Sequence, residues 1–159
     1  MIIDLDAHQG NGHERDFAGD KRVYILDIYN SDIYPQDFLA RRAITQKVEL
    51  RSGTTTSAYL HQLQEELKVA KSAFHPQLII YNAGTDILAG DPLGGLLISP
   101  EGVKERDELV FRFAEEQSCP IVMVTSGGYT KKSAGVIADS IMNLTAKGCI
   151  TLGSTGISK

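Results

Sequence analysis

The residues of this 159-residue chain that are best suited to chemistry lie near its start, where polar and apolar side chains alternate. Asp4, Asp6 and His8 alternate there with apolar neighbours, and Gly10 and Gly12 follow them. In an extended chain, side chains two positions apart point to the same face and lie about 6–7 Å from each other. We therefore expect the two aspartates and the histidine to form one polar column that ends at a glycine turn.

A polar column of this kind has two interpretations. At the edge of a surface strand it is solvated and needs no ligand. On a buried face it needs a neutralising partner, because uncompensated charge is costly to remove from water. Aspartate oxygen and histidine nitrogen are both zinc ligands, so the buried case predicts a divalent-metal site. The motif by itself leaves both interpretations open.

Two later segments favour the metal site, because each begins where an apolar run ends. Residues 82–86 follow one such run and residues 126–129 follow another. Asp86 is suited to be a third metal ligand, which would leave the open position that a catalytic metal needs. Tyr129 follows two glycines and is suited to donate a hydrogen bond to a developing oxyanion. Taken singly, Asp86 is more often a turn-forming residue, and Tyr129 is more often an aromatic residue at the boundary of a core.

The elements that must position these side chains alternate along the chain. This alternation predicts an α/β fold with a mostly parallel sheet, in which sites form beyond the carboxyl ends of the strands. We expect one domain over residues 1–147 and a flexible tail over residues 148–159. The apolar patterns predict strands at 1–6, 22–29, 47–50, 78–81 and 121–124, a helical turn at 13–17, and helices at 56–75, 100–117 and 130–146.

Composition narrows the class of protein. With 42% hydrophobic and 23% charged residues the chain is typical of a globular domain, and its net charge of −4 argues against nucleic-acid binding. Cys119 and Cys149 match no zinc-finger spacing, which favours reduced thiols in a nuclear or cytoplasmic protein. The sequence has no run of 18 apolar residues and no basic-then-apolar leader, so we expect neither a membrane span nor secretion.

The three motifs together carry a resemblance to a known family. Residues 4–12, residues 82–86 with the Gly-Asp-Pro at 90–92, and residues 126–129 resemble the zinc-dependent histone deacetylases in order and spacing. Within this family, the segment Asp-Ala-His-Gln-Gly-Asn-Gly at residues 6–12 most resembles the class IV branch, histone deacetylase eleven. The resemblance extends over about residues 1–144. It implies a three-layer α/β/α fold of the arginase/deacetylase type with its N-terminal part missing, and hydrolysis of acyl-lysine amides.

The resemblance also implies a cofactor, a substrate and residue roles. It implies one Zn²⁺ per chain, with K⁺ as a second cation, and a histone or other protein carrying acetyl-lysine or long-chain fatty acyl-lysine as substrate. It implies nuclear or cytoplasmic location and leaves corepressor partners open. The matched positions are Asp6, His8 and Asp86 for zinc, Tyr129 for the transition-state tyrosine, Asp4 and Asp27 for the monovalent cation, and Tyr34, Leu93 and Gly128 for the acyl-lysine channel.

One part of the family pattern is absent from the sequence. The family carries an adjacent His-His pair, the general base and its partner, well before the Asp-x-His motif. The four histidines here are His8, His13, His61 and His75, and no two are adjacent. Since general-base catalysis contributes about 10²–10⁴-fold, we expect the chain to correspond to a C-terminal half with weak or no activity of its own.

Two alternatives to a deacylase follow from the same residues. A non-catalytic fragment would act through partner binding, because missing strands would leave apolar surface uncovered. A dimanganese ureohydrolase of the same fold would need another Asp two residues after the motif histidine. Gly10 occupies that position here, which favours a single metal.

Overall fold

The computed structural model describes residues 1–153, so residues 154–159 of the expected tail lie outside the described part. Strands and helices alternate as the sequence predicts, although a 3₁₀ turn at Ala40–Ala43 interrupts a stretch expected to be loop. This turn forms because Asp37 Oδ1 accepts a hydrogen bond from the Ala40 N–H. The elements are β1 (Ile2–Asp4), α1 (Asn11–Asp16), β2 (Ile25–Asn30), β3 (Gln46–Leu50), α2 (Thr56–Ala73), β4 (Ile79–Asn82), α3 (Pro100–Glu116), β5 (Ile121–Val124) and α4 (Lys131–Ala146).

The five strands form one parallel sheet in the order β3-β2-β1-β4-β5, which confirms the predicted fold class. The strand that carries the first motif, β1, is central and lies between β2 and β4. Its last residue, Asp4, is in register with Asp27 of β2 and Asn82 of β4. The carboxyl ends of these three strands therefore meet, and sites in parallel α/β sheets lie beyond such ends.

Helices cover one face of the sheet. Ile3, Leu26 and Tyr81 are in register on that face and share a buried core with residues of α2, α3 and α4. On the opposite face, Val122 is 48% exposed and Val124 is 42% exposed. Among the described helices only the short α1 lines this second face, and no described helix is long and apolar enough to cross a membrane.

A buried arginine ties α3 to the loops that carry the motifs. Arg106 is fully buried, and its guanidinium donates hydrogen bonds to the carbonyl oxygens of Leu5, Ala83 and Gly84 at 3.3, 3.2 and 2.6 Å. Its Nε also pairs with Asp107 Oδ1 at 2.8 Å. Buried carbonyls need donors, and these three lie where β1 and β4 have ended. Arg106 thus stabilises the chain immediately before both aspartates of the predicted metal site.

We expect Arg106→Met to lower the free energy of unfolding by about 3–5 kcal/mol, because it leaves a buried Asp107 without its charged partner. Urea denaturation followed by circular dichroism measures the change. Arg112→Met is the matched control: Arg112 lies on the same helix and pairs with Glu108 at the surface, so its loss should cost at most about 1 kcal/mol. Equal effects of the two substitutions would contradict a stabilising role for the Arg106 network.

Candidate metal centre and active-site cavity

The polar column expected at the start of the chain is not continuous. The strand β1 ends at Asp4, and residues 6–8 form a bend. The bend has a local cause, because Asp4 Oδ1 accepts the Asp6 N–H at 3.0 Å and Asp6 Oδ1 accepts the His8 N–H at 2.9 Å. Such side-chain turns redirect the backbone after each aspartate. The prediction of one shared column is therefore wrong, and the three side chains divide between two clusters.

The first cluster brings together Asp6, His8 and Asp86, which are the three predicted metal ligands. His8 Nδ1 lies 3.0 Å from Asp6 Oδ1 and 2.9 Å from Asp86 Oδ2. Tetrahedral zinc with bonds of about 2.0–2.1 Å holds its ligands about 3.3 Å apart. The three donor atoms therefore fit a zinc ion after a small outward shift.

Backbone N–H groups hold the outer oxygen of each carboxylate. Ala7 N donates to Asp86 Oδ1 at 2.8 Å, and Gly127 N donates to Asp6 Oδ2 at 2.9 Å. These bonds leave one oxygen of each aspartate directed at His8, as outer-shell partners do in metal sites. Position 127 must be glycine, because a Cβ there would lie 2.2 Å from Asp86 Oδ2 and 2.6 Å from Asp6 Oδ2.

The ionisable groups of this cluster shift one another's pKa values. Hydrogen bonds with Asp6 and Asp86 raise the pKa of His8 to about 10, so its imidazole holds a proton at neutral pH in the absence of metal. Burial raises the pKa of Asp86. Burial acts in the same sense on Asp6, but hydrogen bonds from His8 and Gly127 outweigh it and lower the pKa of Asp6. A metal ion would have to displace the His8 proton.

The second cluster contains Asp4, Asp27 and His13, whose candidate ligand atoms all lie within 4.8 Å of one another. Burial raises the pKa of Asp4 and of Asp27, and burial lowers the pKa of His13. Glu14 is also fully buried beside Asp27. Asp27 Oδ1, Glu14 Oε1 and His13 Nε2 have no hydrogen-bond partner, and within residues 1–153 no lysine or arginine pairs with these carboxylates. A cation is chemically suited to this cluster.

Sequence reasoning placed Asp4 and Asp27 together but missed His13 and Glu14. Both belong to α1, which has only six residues and shows no apolar period that predicts which side faces the sheet. The sequence offered one signal for their position, the glycine turn at Gly10, which directs α1 toward the end of β2. Its N–H donates to Asp27 Oδ2 at 3.0 Å.

A cavity of about 500 Å³ opens beside the first cluster. It brings the predicted metal ligands Asp6 and His8 together with four other predicted site residues, Asp4, Tyr34, Leu93 and Tyr129. Gly128 does not line the cavity. Its φ of +152° instead turns the chain into Tyr129, a conformation that favours glycine. Gln9, Ile33 and Ser126 also line the cavity and were not singled out from the sequence.

Tyr129 stands at the cavity wall with its side chain half exposed. Its ring lies edge-on to that of His8, with 6.3 Å between the ring centroids. Burial raises the pKa of Tyr129, so its phenol remains protonated at neutral pH and is able to donate a hydrogen bond. The arrangement can therefore hold a metal ion and offer a hydrogen-bond donor to a group bound in the same cavity.

A protein-family model and a curated relative both match most of this chain. The model of the histone deacetylase domain matches residues 1–145. Histone deacetylase 2 of Arabidopsis thaliana is 67% identical over 150 residues, which are 94% of this chain and 39% of that protein. The chain thus spans about two fifths of the length of this relative.

Solved structures show the same fold at low sequence identity. Acetylpolyamine aminohydrolase from Burkholderia pseudomallei has a TM-score of 0.76 at 20% identity and covers 89% of this chain and 43% of its own. The HDA15 HD domain has a TM-score of 0.76 at 24% identity, over 97% of this chain and 46% of its own. Because the domain model matches nearly the whole sequence, the chain belongs to the histone deacetylase family.

Proposed function

We propose that this chain carries the metal-binding part of a zinc-dependent protein-lysine deacylase. The observation that carries the proposal is the convergence of Asp6, His8 and Asp86 beside a cavity whose wall includes Tyr129. The substrate is an acetyl- or long-chain fatty acyl-lysine of a histone or another protein. The cleaved bond is the amide between the acyl group and the lysine nitrogen. The first cluster holds one Zn²⁺.

Residues that line the cavity, and others directly behind it, have distinct parts in this reaction. Bound zinc would supply Lewis-acid polarisation of the amide carbonyl and a more acidic water. The phenol of Tyr129 donates a hydrogen bond to the oxygen on which negative charge develops. Tyr34 and Leu93 contact the aliphatic part of the acyl-lysine. Gly127 and Ala7 keep the two ligand carboxylates directed at the metal.

The general base is supplied from outside this chain. Of the described histidines only His8 lines the cavity, and it is a proposed ligand. His13 lies in the second cluster and does not line the cavity, so it does not replace a His-His pair. The chain by itself is therefore a slow catalyst.

The second cluster is proposed as the structural monovalent-cation site, with K⁺ bound by Asp4 and Asp27. Its buried carboxylates and unpaired oxygens support a cation there. The same resemblance supports a class IV deacylase that acts in the nucleus or cytoplasm. It also supports a preference for long acyl chains.

A second candidate function has its own observation. The uncovered face of the sheet carries an apolar cavity of about 520 Å³ lined by residues including Ile2, Ile80 and Val124, which favours a fragment that binds a partner. A dimanganese ureohydrolase is disfavoured, because a Cβ at Gly10 would lie 2.0 Å from His13 Cε1 and 2.5 Å from Asp4 Oδ2. An aspartate at that position would require the side chains of His13 and Asp4 to move.

We expect Asp86→Asn to weaken zinc binding by about 100-fold or more. The loss of an outer-shell partner alone costs about 10–100-fold, and the loss of a ligand should cost no less. Isothermal titration calorimetry with zinc measures the affinity. Asp139→Asn is the control, because Asp139 is an exposed carboxylate on α4. Equal affinities of the two variants would contradict the assignment of Asp86 as a ligand.

Zinc binding to the chain should release about one proton at pH 7. The pKa of His8 is raised to about 10 without metal, and His8 must be neutral to coordinate. The apparent dissociation constant should therefore rise about tenfold for each unit by which the pH falls below 10. Titrations in buffers of different ionisation enthalpy count the protons, and no buffer dependence would show that His8 is neutral before zinc binds.

A version preceded by the N-terminal part of the Arabidopsis relative should hydrolyse acetyl-lysine and myristoyl-lysine peptides at least about 10²-fold faster than the chain itself. Tyr129→Phe in the extended version should lower turnover about 10²–10³-fold with unchanged zinc affinity. Tyr34→Phe serves as the control, with a change of only a few fold. Comparable rates with and without the extension would show that this chain contains its own base.

A further inference from the structure

One buried carboxylate outside the metal ligands joins two walls of the cavity. Asp91 Oδ1 accepts hydrogen bonds from the backbone N–H groups of Leu93 at 2.9 Å and Gly94 at 3.2 Å. Its other oxygen, Oδ2, accepts from the Tyr129 N–H at 2.8 Å. Asp91 is 7% exposed, so water competes little for these bonds. The Asp91 side chain therefore connects its own segment, which includes Leu93, with the segment of Tyr129, a residue 38 positions after Asp91.

A turn-forming aspartate explains only half of these contacts. The bonds from Oδ1 to residues two and three positions ahead are the ordinary pattern by which aspartate stabilises a turn. The bond from Oδ2 contributes nothing to that turn, because Tyr129 belongs to the loop after β5. Bonds of N–H groups to an ionised carboxylate are shorter and stronger than neutral ones. Asp91 is therefore used in addition to anchor the Tyr129 backbone.

The segment before Tyr129 needs such an anchor. Gly127 is held at both its N–H, which donates to Asp6, and its carbonyl, which accepts from the Thr85 N–H. Gly128 lies between these bonds and Tyr129, and glycine restricts the backbone less than any other residue. The Tyr129 ring is 53% exposed, so packing does little to restrict its position. The hydrogen bond at its N–H is the nearest constraint on where the phenol lies relative to His8.

We propose that Asp91 is a positioning residue. By holding the backbone of Tyr129, it places the phenol beside the metal centre and at a fixed position relative to Leu93 on the cavity wall. The proposal rests on the function proposed above and deepens it, because it names the group through which the channel wall and the tyrosine are coupled. Asp91 acts through Tyr129 and touches neither the metal ligands nor the substrate. Its loss should weaken interactions of the phenol and leave zinc affinity unchanged.

The first test measures hydrogen exchange at single backbone amides of the zinc-loaded chain by NMR. In Asp91→Asn, the amide oxygen still serves the Leu93 and Gly94 N–H groups, but an NH₂ group then opposes the Tyr129 N–H. We expect exchange at Tyr129 to accelerate at least about tenfold, the effect of losing one charge-assisted bond. Asp32→Asn is the matched control, because Asp32 Oδ2 accepts a backbone N–H from Ser52, 20 positions away, and neither residue lines the cavity. Unchanged exchange at Tyr129 in Asp91→Asn would overturn the proposal.

The second test measures binding of a linear aliphatic hydroxamate, a metal-binding probe with a carbonyl that the phenol can reach. Asp91→Asn and Tyr129→Phe should each weaken binding several-fold, the value of one hydrogen bond, and the double variant should be no weaker than Tyr129→Phe. Multiplied effects of the two changes would show that Asp91 acts independently of Tyr129 and would overturn the proposal. If the zinc-loaded chain binds no hydroxamate, the proposed deacylase function fails, and the exchange measurement still decides whether Asp91 anchors Tyr129.

Discussion

Acidic side chains are crowded where the parallel strands end, and this crowding constrains the rest of the structure. Asp4, Asp6, Asp27, Asp86 and Glu14 are all buried near the carboxyl ends of β1, β2 and β4. Buried carboxylates need positive charge or protons. In the first cluster, Asp6 and Asp86 share one strongly basic partner, His8. Beside the second cluster, Asp27 Oδ1 and Glu14 Oε1 have no hydrogen-bond partner. Both clusters at this edge of the sheet thus present ligand atoms that are chemically suited to a cation.

Neutral hydrogen bonds from the backbone make this crowding tolerable. Gly127 and Ala7 donate to the aspartates of the first cluster, and Gly10 donates to Asp27 in the second. Arg106 does not contact these carboxylates. It donates hydrogen bonds to backbone carbonyls of residues that precede Asp6 and Asp86. The arginine charge itself is paired with Asp107, so it stabilises the loops without competing with a metal for the ligands. Helix α3 therefore supports the site although none of its residues lines the cavity.

The cavity joins three loops that belong to different parts of the chain. Tyr34 comes from the segment after β2, Leu93 from the segment after β4, and Tyr129 from the segment after β5. Such a site depends on contacts between loops as much as on the sheet. Asp91 supplies one of these contacts directly. The second face of the sheet shows the opposite condition, with apolar strand residues such as Val122 and Val124 left exposed.

The sequence by itself determined the order and position of nearly every element, because apolar period and glycine or proline signals are local properties. The helix start at Ser99-Pro100 is an example, since the serine caps the helix as its type predicts. The set Asp6, His8 and Asp86 was also predictable, because parallel strands bring their carboxyl ends together whatever the details of the loops. The 3₁₀ turn at Ala40–Ala43 was missed because it depends on a side-chain bond from Asp37.

Only the tertiary structure decided where side chains point once a strand has ended. The expected column failed because Asp4 and Asp6 bend the chain through bonds to backbone N–H groups, and this placed Asp4 with His13 and Asp27. Gly128 was expected at the channel wall, but its backbone conformation serves to orient Tyr129. The Asp91 anchor joins residues 38 positions apart, a contact that no periodicity encodes. The alternation of residues along a strand predicts side-chain directions only within that strand. In the loops, hydrogen bonds between distant segments set the side-chain directions.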